Sequence, residues 1–519
     1  MFAWGGDHPW RKRAFRLDCD HSGRSAMGEL VSIDGLRMPG AAIIDGVAVA
    51  GAETFDNVGP RDGKVLGAVT LGGTREIDAA VAAARRSFEA GVWRNQPPRA
   101  KKAVMHRLAD LMEVHAEELA LLECVDTGRP IGDARNVDVP LSIGTQRYYA
   151  EALDKVYGEA GPDHPGRLSW TVHEPLGVIG AIVPWNFPLH MAMWKVAPAL
   201  AMGNSVVLKP AEQSPLTALR IGELALEAGL PAGVLNVVPG TGEAAGQALA
   251  RHDDVDMIAF TGSGAVGRLL MRYSGESNLK RVSLELGGKS PQIVFADCPD
   301  LEAAAQAAAW GVFYNGGQVC TAASRLLVQR EIHDAFVARV VAIARGIEAG
   351  DPLDPDTKFG AIISERQMRS VLGRIATAGD EGSDLLLGGG RARTETGGFY
   401  IAPTIFDGVD PATALAREEV FGPVLGILSF DDADAAFRIA NDTVYGLAAG
   451  VWTRDLDRAH RAARVLKAGL VWINGWDACD ITMPFGGFKQ SGFGRDRSMH
   501  ALEKYADLKA VTITYGAGA

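Results

Sequence analysis

Between residues 178 and 286 short apolar runs alternate with helix-length segments, and this alternation constrains the fold more than any other feature. Val178–Val183, Ser205–Leu208, Val234–Val238 and Met257–Phe260 read as strands; Met191–Ala201, Thr217–Ala228 and the stretches after two Gly-rich turns read as helices. Strands that are apolar throughout are buried on both faces, and helical crossovers make neighbouring strands parallel. The expected fold is therefore α/β, built on a doubly wound parallel sheet. A second run starts near Ser290, with a strand at Gln292–Phe295 and an Ala-rich helix at Leu301–Tyr314, and continues to about Phe485. It predicts a second α/β domain. Upstream, Glu76–Glu89 carries Ile77, Val81, Ala84 and Phe88 on one helical stripe, and Lys101–Glu123 reads as one long amphipathic helix ending near Gly128. Val156–Glu174 and the tail Lys509–Tyr515 fit neither run. The tail alternates like an exposed edge strand, which favours pairing with another subunit.

Composition narrows the function classes. A chain of 519 residues with 47% hydrophobic content can bury several cores, so disorder and a small disulfide scaffold are excluded. The net charge is 52 − 63 = −11 with no Lys/Arg stripe, which argues against nucleic acid as a partner. The five cysteines (Cys19, Cys124, Cys298, Cys320, Cys479) form no CxxC pair, so no metal site is expected and a reducing, cytoplasmic setting is. Pro175–Trp194 lacks Asp, Glu, Lys and Arg, but Pro184, Asn186, Pro188 and His190 interrupt it, so no membrane span is expected there. The N-terminus is basic but has no apolar core of a secretory signal.

Three motifs carry chemistry. Gly262-Ser263-Gly264-Ala265-Val266-Gly267 follows a predicted strand and opens a predicted helix. In that context the glycines let backbone N–H groups approach a pyrophosphate at a helix N-terminus; a tight structural turn is the alternative. A dinucleotide fold also wants an acidic residue about 20 positions on, for a ribose. Glu285, 23 residues after Gly262, competes for that role with Lys209-Pro210-Ala211-Glu212 at the end of a strand. Cys320, in Asn315-Gly316-Gly317-Gln318-Val319-Cys320, sits on a Gly-loosened turn. A nucleophilic thiol needs access, a lowered pKa and a partner; a lone cysteine is otherwise a packed residue.

Taken together these segments resemble the NAD(P)-dependent aldehyde dehydrogenase superfamily. The resemblance rests on Pro184-Trp185-Asn186-Phe187-Pro188, Lys209-Pro210-Ala211-Glu212, Phe260-Thr261-Gly262-Ser263, Glu285-Leu286-Gly287-Gly288-Lys289, Gly317-Gln318-Val319-Cys320, Glu418-Glu419-Val420-Phe421-Gly422-Pro423, Asn474 and Pro484-Phe485-Gly486-Gly487, in order from about Ile43 to the C-terminus. Val156–Glu159, Val451–His460 and Ser498–Lys504 are similar to the subgroup acting on γ-glutamyl-γ-aminobutyraldehyde and related aminoaldehydes.

The resemblance implies a Rossmann-type cofactor domain (41–155 and 175–286), a catalytic domain (287–490), a small β bridging element (156–174 and 503–519) and an N-terminal extension (1–40). It implies that Cys320 is the nucleophile, that Asn186 and the Cys320 N–H stabilise the oxyanion, that Glu285 is the general base and that Lys195 assists. Glu285 then leaves the ribose to Lys209 and Glu212. Trp185, Gly262, Ser263 and Gly267 would serve the adenine ribose and pyrophosphate, and Glu419 and Phe421 the nicotinamide ribose of NAD. Phe187, Trp194, Trp476, Cys479 and Phe485 would line a substrate tunnel, and Asp126, Asp477 and Asp480 would attract a substrate ammonium. Asn474 is a supporting residue or simply structural. The chain departs from the usual pattern at Gly316 (often Gln), where a looser cysteine loop is expected, at Gly264 (often Thr), where a wider pyrophosphate turn is expected, at Asp496 (often Glu) and at Cys479. The implied function is NAD-dependent oxidation of an aldehyde, an aminoaldehyde by preference, to an acid through a thioester, in a homodimer or homotetramer. Broad-specificity or betaine aldehyde oxidation, coenzyme A acylation, a non-catalytic structural role, and a cysteine hydrolase using His190, His252 or His333 are the alternatives.

Overall fold

The computed structural model describes residues 30–478 and 480–516. Cys19, most of the expected N-terminal extension and Cys479 lie outside the described residues. The first run forms an eight-stranded sheet in the order Val47–Val49, Ala42–Ile44, Leu235–Val237, Ser205–Lys209, Val178–Ile182, Met257–Gly262, Arg281–Leu286, Gly492–Phe493. Its five central strands are parallel, and Ala42–Ile44 and Gly492–Phe493 flank them antiparallel. In chain order the central strands lie 3-2-1-4-5, so the winding reverses between Val178–Ile182 and Met257–Gly262. The crevice at such a reversal opens at the carboxyl ends of the strands. The segments leaving those ends begin at Val183, Pro210, Ser263 and Gly287.

The period-two rule explains the layers. Ile179, Ala181, Val206 and Leu208 face one buried cluster, and Val178, Ile182, Val207 and Ile258 face another. The second run forms a seven-stranded sheet in the order Asp384–Leu387, Thr404–Asp407, Val424–Phe430, Arg325–Gln329, Pro291–Val294, Ala448–Trp452, Leu470–Ile473, parallel except for the first strand. Ile293 and Leu327 pack on one side of it, Val294, Leu326 and Val328 on the other. Helices cover both faces of both sheets, which is why central strands such as Val178–Ile182, Ser205–Lys209 and Pro291–Val294 are buried at every position.

Two expectations need correction or completion. The predicted helix Lys101–Glu123 is two helices, Pro98–Val114 and Ala116–Thr127, separated at His115 (φ −98°, ψ 20°). Amphipathic periodicity crosses the break, but Glu117 and Glu118 favour a new N-terminus by the helix dipole, and the His115 ring binds Glu118 at 2.8 Å. The second helix ends at Gly128 (φ 73°), as expected. Val156–Glu174 finds its partner in the tail: Arg167–Pro175 pairs antiparallel with Ala506–Thr514 along nine residues each, as a two-stranded ribbon. No described helix is long and apolar enough to cross a membrane.

Candidate active site

The loop before Cys320 begins where the helix Leu301–Phe313 stops. Asn315, Gly316 and Gly317 all adopt left-handed backbone (φ 51°, 62° and 73°). At Gly317 a Cβ would lie 2.1 Å from the Gly422 carbonyl oxygen, so only glycine fits. The loop is not loose. Gln318 Nε2 donates to the Asn315 carbonyl (3.0 Å), and its Oε1 accepts from Ile363 N (2.9 Å). Asn315 Nδ2 donates to the Asn186 carbonyl (3.0 Å), and Asn186 Nδ2 donates to the Gln318 carbonyl (2.8 Å). These reciprocal bonds lock the Cys320 loop to the Pro184–Pro188 loop. They do the work that a Gln at 316 was expected to do, and they make Asn315 and Gln318 site residues the sequence reading did not single out. Their only sequence signal is their place on either side of Gly316-Gly317. One amide hydrogen of Asn186 remains unspent, and among the described residues the Cys320 N–H donates to no backbone carbonyl. Two such donors suit an oxygen that gains charge.

Cys320 is half-buried, whereas Cys124 and Cys298 are buried. Burial pushes its thiol up from the usual range, and Glu419, Asp477 and Glu285 push it further. A lowered thiol pKa was expected; three surrounding carboxylates give the opposite sign, so the sulfur is held protonated and needs a proton acceptor. Glu285 is the penultimate residue of the strand Arg281–Leu286, and two residues beyond that strand the backbone at Gly288 presses on Cys320, where a Cβ would meet its carbonyl at 2.7 Å. Glu285 is 2% exposed and neither carboxylate oxygen has a hydrogen-bond partner. Burial, then the Asp496 charge, hold it well above the usual carboxylate range, and Lys195 pulls it back. Lys195, from the helix Pro188–Ala201, is paired with Asp496, whose other oxygen takes Lys504. The shorter Asp496 side chain is thus clamped between two ammonium groups. These hold it ionised, below its usual range despite burial.

The switch-point crevice presents a helix N-terminus and paired polar side chains suited to a dinucleotide. Ser263 caps the 13-residue helix Gly264–Glu276, its Oγ accepting from Val266 N, so the first-turn N–H groups are presented outward. At Gly267 a Cβ would meet Leu286 at 3.0 Å, the close helix–strand approach that the third glycine of the motif permits. Gly264 faces only the Arg268 side chain, which leaves the turn open. Lys209 Nζ is buried, 3.7 Å from the half-exposed Glu212 carboxylate, a donor and an acceptor set for vicinal hydroxyls. Glu419 accepts from Gly288 N (3.0 Å), and at Gly287 a Cβ would land 2.0 Å from its carboxylate. Burial pushes Glu419 up to about 7. Trp185 and Phe421 meet edge to face at 5.2 Å. These residues fit NAD.

Other expected residues divide clearly. Trp194 packs on Phe485 (4.8 Å) and His190 (5.0 Å), and Trp476 on Trp472 (5.0 Å), two aromatic clusters. Phe187 lies against the Arg129 guanidinium (4.5 Å), which also covers Tyr314 (4.7 Å), so one buried cation braces both loops that carry Asn186 and Cys320. Arg129 Nε lies 2.5 Å from Asp138, both side chains fully buried. Arg129→Leu leaves Asp138 unpaired and should lower the apparent Tm by roughly 5–10 °C in calorimetry; an unchanged Tm would show that Asp138 has another partner. Asp126 is not a substrate carboxylate: it is fully buried, accepting from Asn57 Nδ2 (2.6 Å) and Leu216 N (2.9 Å). Asn474 is structural, tied to Thr453 through both its amide atoms. Asp477 does stand near Cys320, on whose thiol it acts, and its own side chain is exposed to solvent. His252 and His333 pair with Asp78 and Asp407, and His190 packs on Trp194, so none of these three candidate bases is paired with Cys320.

A family model described as the aldehyde dehydrogenase family matches residues 47–511. The chain is 53% identical over 462 residues to the NADP/NAD-dependent aldehyde dehydrogenase PuuC of Escherichia coli, covering 89% of this chain and 92% of that protein. A solved γ-glutamyl-γ-aminobutyraldehyde dehydrogenase from Burkholderia cenocepacia is 56% identical with a TM-score of 0.91, covering 93% of this chain and 98% of that one. An indole-3-acetaldehyde dehydrogenase from P. syringae, solved with NAD+ and IAA, is 52% identical with a TM-score of 0.92, over the same shares.

Proposed function

Because this chain belongs to the aldehyde dehydrogenase family and is an NAD-dependent aldehyde dehydrogenase, we propose that it oxidises an aldehyde with an amino-bearing tail, of the γ-glutamyl-γ-aminobutyraldehyde type, to the acid. The observation that supports this most is the meeting of Cys320, Asn186 and Glu285 beside aromatic clusters and the carboxylate of Asp477.

The half-buried Cys320 thiol gives up its proton to solvent water, and the sulfur adds to the aldehyde carbon. The free Asn186 amide hydrogen and the Cys320 N–H hold the oxygen as it becomes an alkoxide, each such donor contributing about 3 kcal/mol. NAD, when bound, supplies the hydride acceptor. Lys209, Glu212, Trp185, Gly262, Ser263 and Gly267 would hold its adenosine and pyrophosphate end, and Glu419 and Phe421 its nicotinamide ribose. The acyl group left on Cys320 is a thioester; Glu285 takes a proton from water as the water oxygen attacks the carbonyl carbon, the C–S bond breaks, the acid departs, and the proton passes from Glu285 to the sulfur. Lys195 and Asp496 orient that proton traffic. A base poised against Cys320 favours hydrolysis over acyl transfer to coenzyme A.

The test is NADH formation with γ-glutamyl-γ-aminobutyraldehyde, 3-aminopropionaldehyde, betaine aldehyde, hexanal and benzaldehyde. The highest kcat/KM should fall on the first; a maximum on benzaldehyde would overturn the substrate reading. Asn186→Ala should lower kcat about 100- to 1,000-fold with little change in Tm; an unaltered kcat would remove Asn186 from the oxyanion site. Glu212 faces the ribose with a negative charge, which repels a 2′-phosphate. NAD should therefore turn over faster than NADP, and Glu212→Gln should narrow the difference.

The ribbon Arg167–Pro175/Ala506–Thr514 exposes Leu168, Leu508 and Ile513. A two-stranded ribbon is marginal alone in water, which supports a homodimer or homotetramer. An unpaired thiol nucleophile suits a reducing compartment such as the cytoplasm.

A further inference from the structure

Arg497 is 7% exposed, yet its Nε has no hydrogen-bond partner, and its guanidinium enters no ion pair among the described residues. An unpaired buried cation is costly, and such groups persist where something else satisfies them. Two further observations say where this one points. Its guanidinium lies 5.5 Å over the Trp194 ring, part of the aromatic cluster against which the aldehyde tail would lie. The Trp194 indole Nε1–H is itself buried without a partner. The backbone is strained at the same place: Arg497, Ser498 and Asp477 all have left-handed φ (62°, 52° and 53°), a cost that clusters at ligand sites. Ser498 N donates to the Ile481 carbonyl (2.7 Å), which ties Ile481 to the residue that follows Arg497.

We propose that Arg497, with the Trp194 indole N–H, is a receptor for a carboxylate at the far end of the aldehyde's tail, and that Asp477 faces the ammonium beside it. This rests on the functional reading above and sharpens it: the substrate class is an aldehyde ending in a zwitterionic α-amino acid, not a simple amine. The chemistry is complementary in sign, since a guanidinium and an N–H donate to a carboxylate while Asp477 accepts from an ammonium. Arg497 lies over Trp194 and Asp477 directly follows Trp476 in the chain, so both charges border aromatic residues expected to line the tunnel. The neighbouring charges are Asp477, Asp480 and the neutral His190; none of them pairs with Arg497.

The test compares kcat/KM for γ-glutamyl-γ-aminobutyraldehyde with that for hexanal. In Arg497→Met the ratio should fall about 10- to 100-fold, the loss carried by KM, and Arg497→Lys should recover part of it. An unchanged ratio, with both substrates affected alike, would mean a structural role and would overturn the proposal. A readout on the wild-type enzyme guards against a misfolded variant: γ-glutamyl-butylamine should bind at least about tenfold more tightly in calorimetry than its α-carboxamide. Equal affinities overturn the receptor. If the wild-type enzyme oxidised neither aldehyde, the functional reading would fail, and the calorimetric comparison would still decide the receptor.

Discussion

Cys320→Ala is expected to lower aldehyde oxidation at least about 10,000-fold while NAD still binds. The reason is geometric. Among the described cysteines only Cys320 is not buried, and only it stands at the end of a locked left-handed turn beside Asn186. Cys124 is fully buried and donates to the Pro352 carbonyl, and Cys298 is 6% exposed. Neither can substitute. The residues proposed to hold NAD take no support from the Cys320 side chain, so calorimetric NAD binding should change less than about twofold. Turnover that survives the substitution would remove Cys320 from the mechanism.

Glu285→Gln should separate the two halves of the reaction. With no base to activate water, the acyl group stays on Cys320, so NADH should appear as a burst of about one equivalent per active site. The steady rate that follows should be about 100- to 10,000-fold lower. The isosteric amide keeps the packing, and because neither Glu285 oxygen accepts a hydrogen bond, no native bond is lost. The wild-type pH profile follows from the sign of the shift. An acid whose pKa is raised holds its proton to higher pH, so the base form grows as pH rises through that raised value. The steady rate should therefore fall on acidification while the burst persists, and this limb should be absent in Glu285→Gln. A normal steady rate would point to another base.

Much of this site was legible in the chain because its parts are local. The turn Gly262–Gly267 announces itself by glycine spacing, and Gly267 is glycine for the reason the motif gives, its contact with Leu286. The strands Val178–Ile182 and Ser205–Lys209 are buried at every position because helices cover both faces. Other features depend on residues far apart in sequence. Asn315 and Gln318 matter through Asn186 and Ile363, and nothing in Asn315-Gly316-Gly317-Gln318 specifies those partners. Asp126 looks like a solvated acid next to Thr127-Gly128 but is sealed by Asn57 and Leu216. The break at His115 is hidden by periodicity that continues across it.

What the amino-acid order determined by itself was the alternation of strand and helix, the glycine turns, and the identity of the thiol, the amide and the carboxylate available for chemistry. Period, chirality and backbone freedom are properties of neighbouring residues, so they are written locally. Tertiary structure alone decided the charge state around Cys320, the double lysine clamp on Asp496 and the unpaired guanidinium of Arg497. Burial and Coulomb fields depend on which distant segments meet, and no run of residues carries that information.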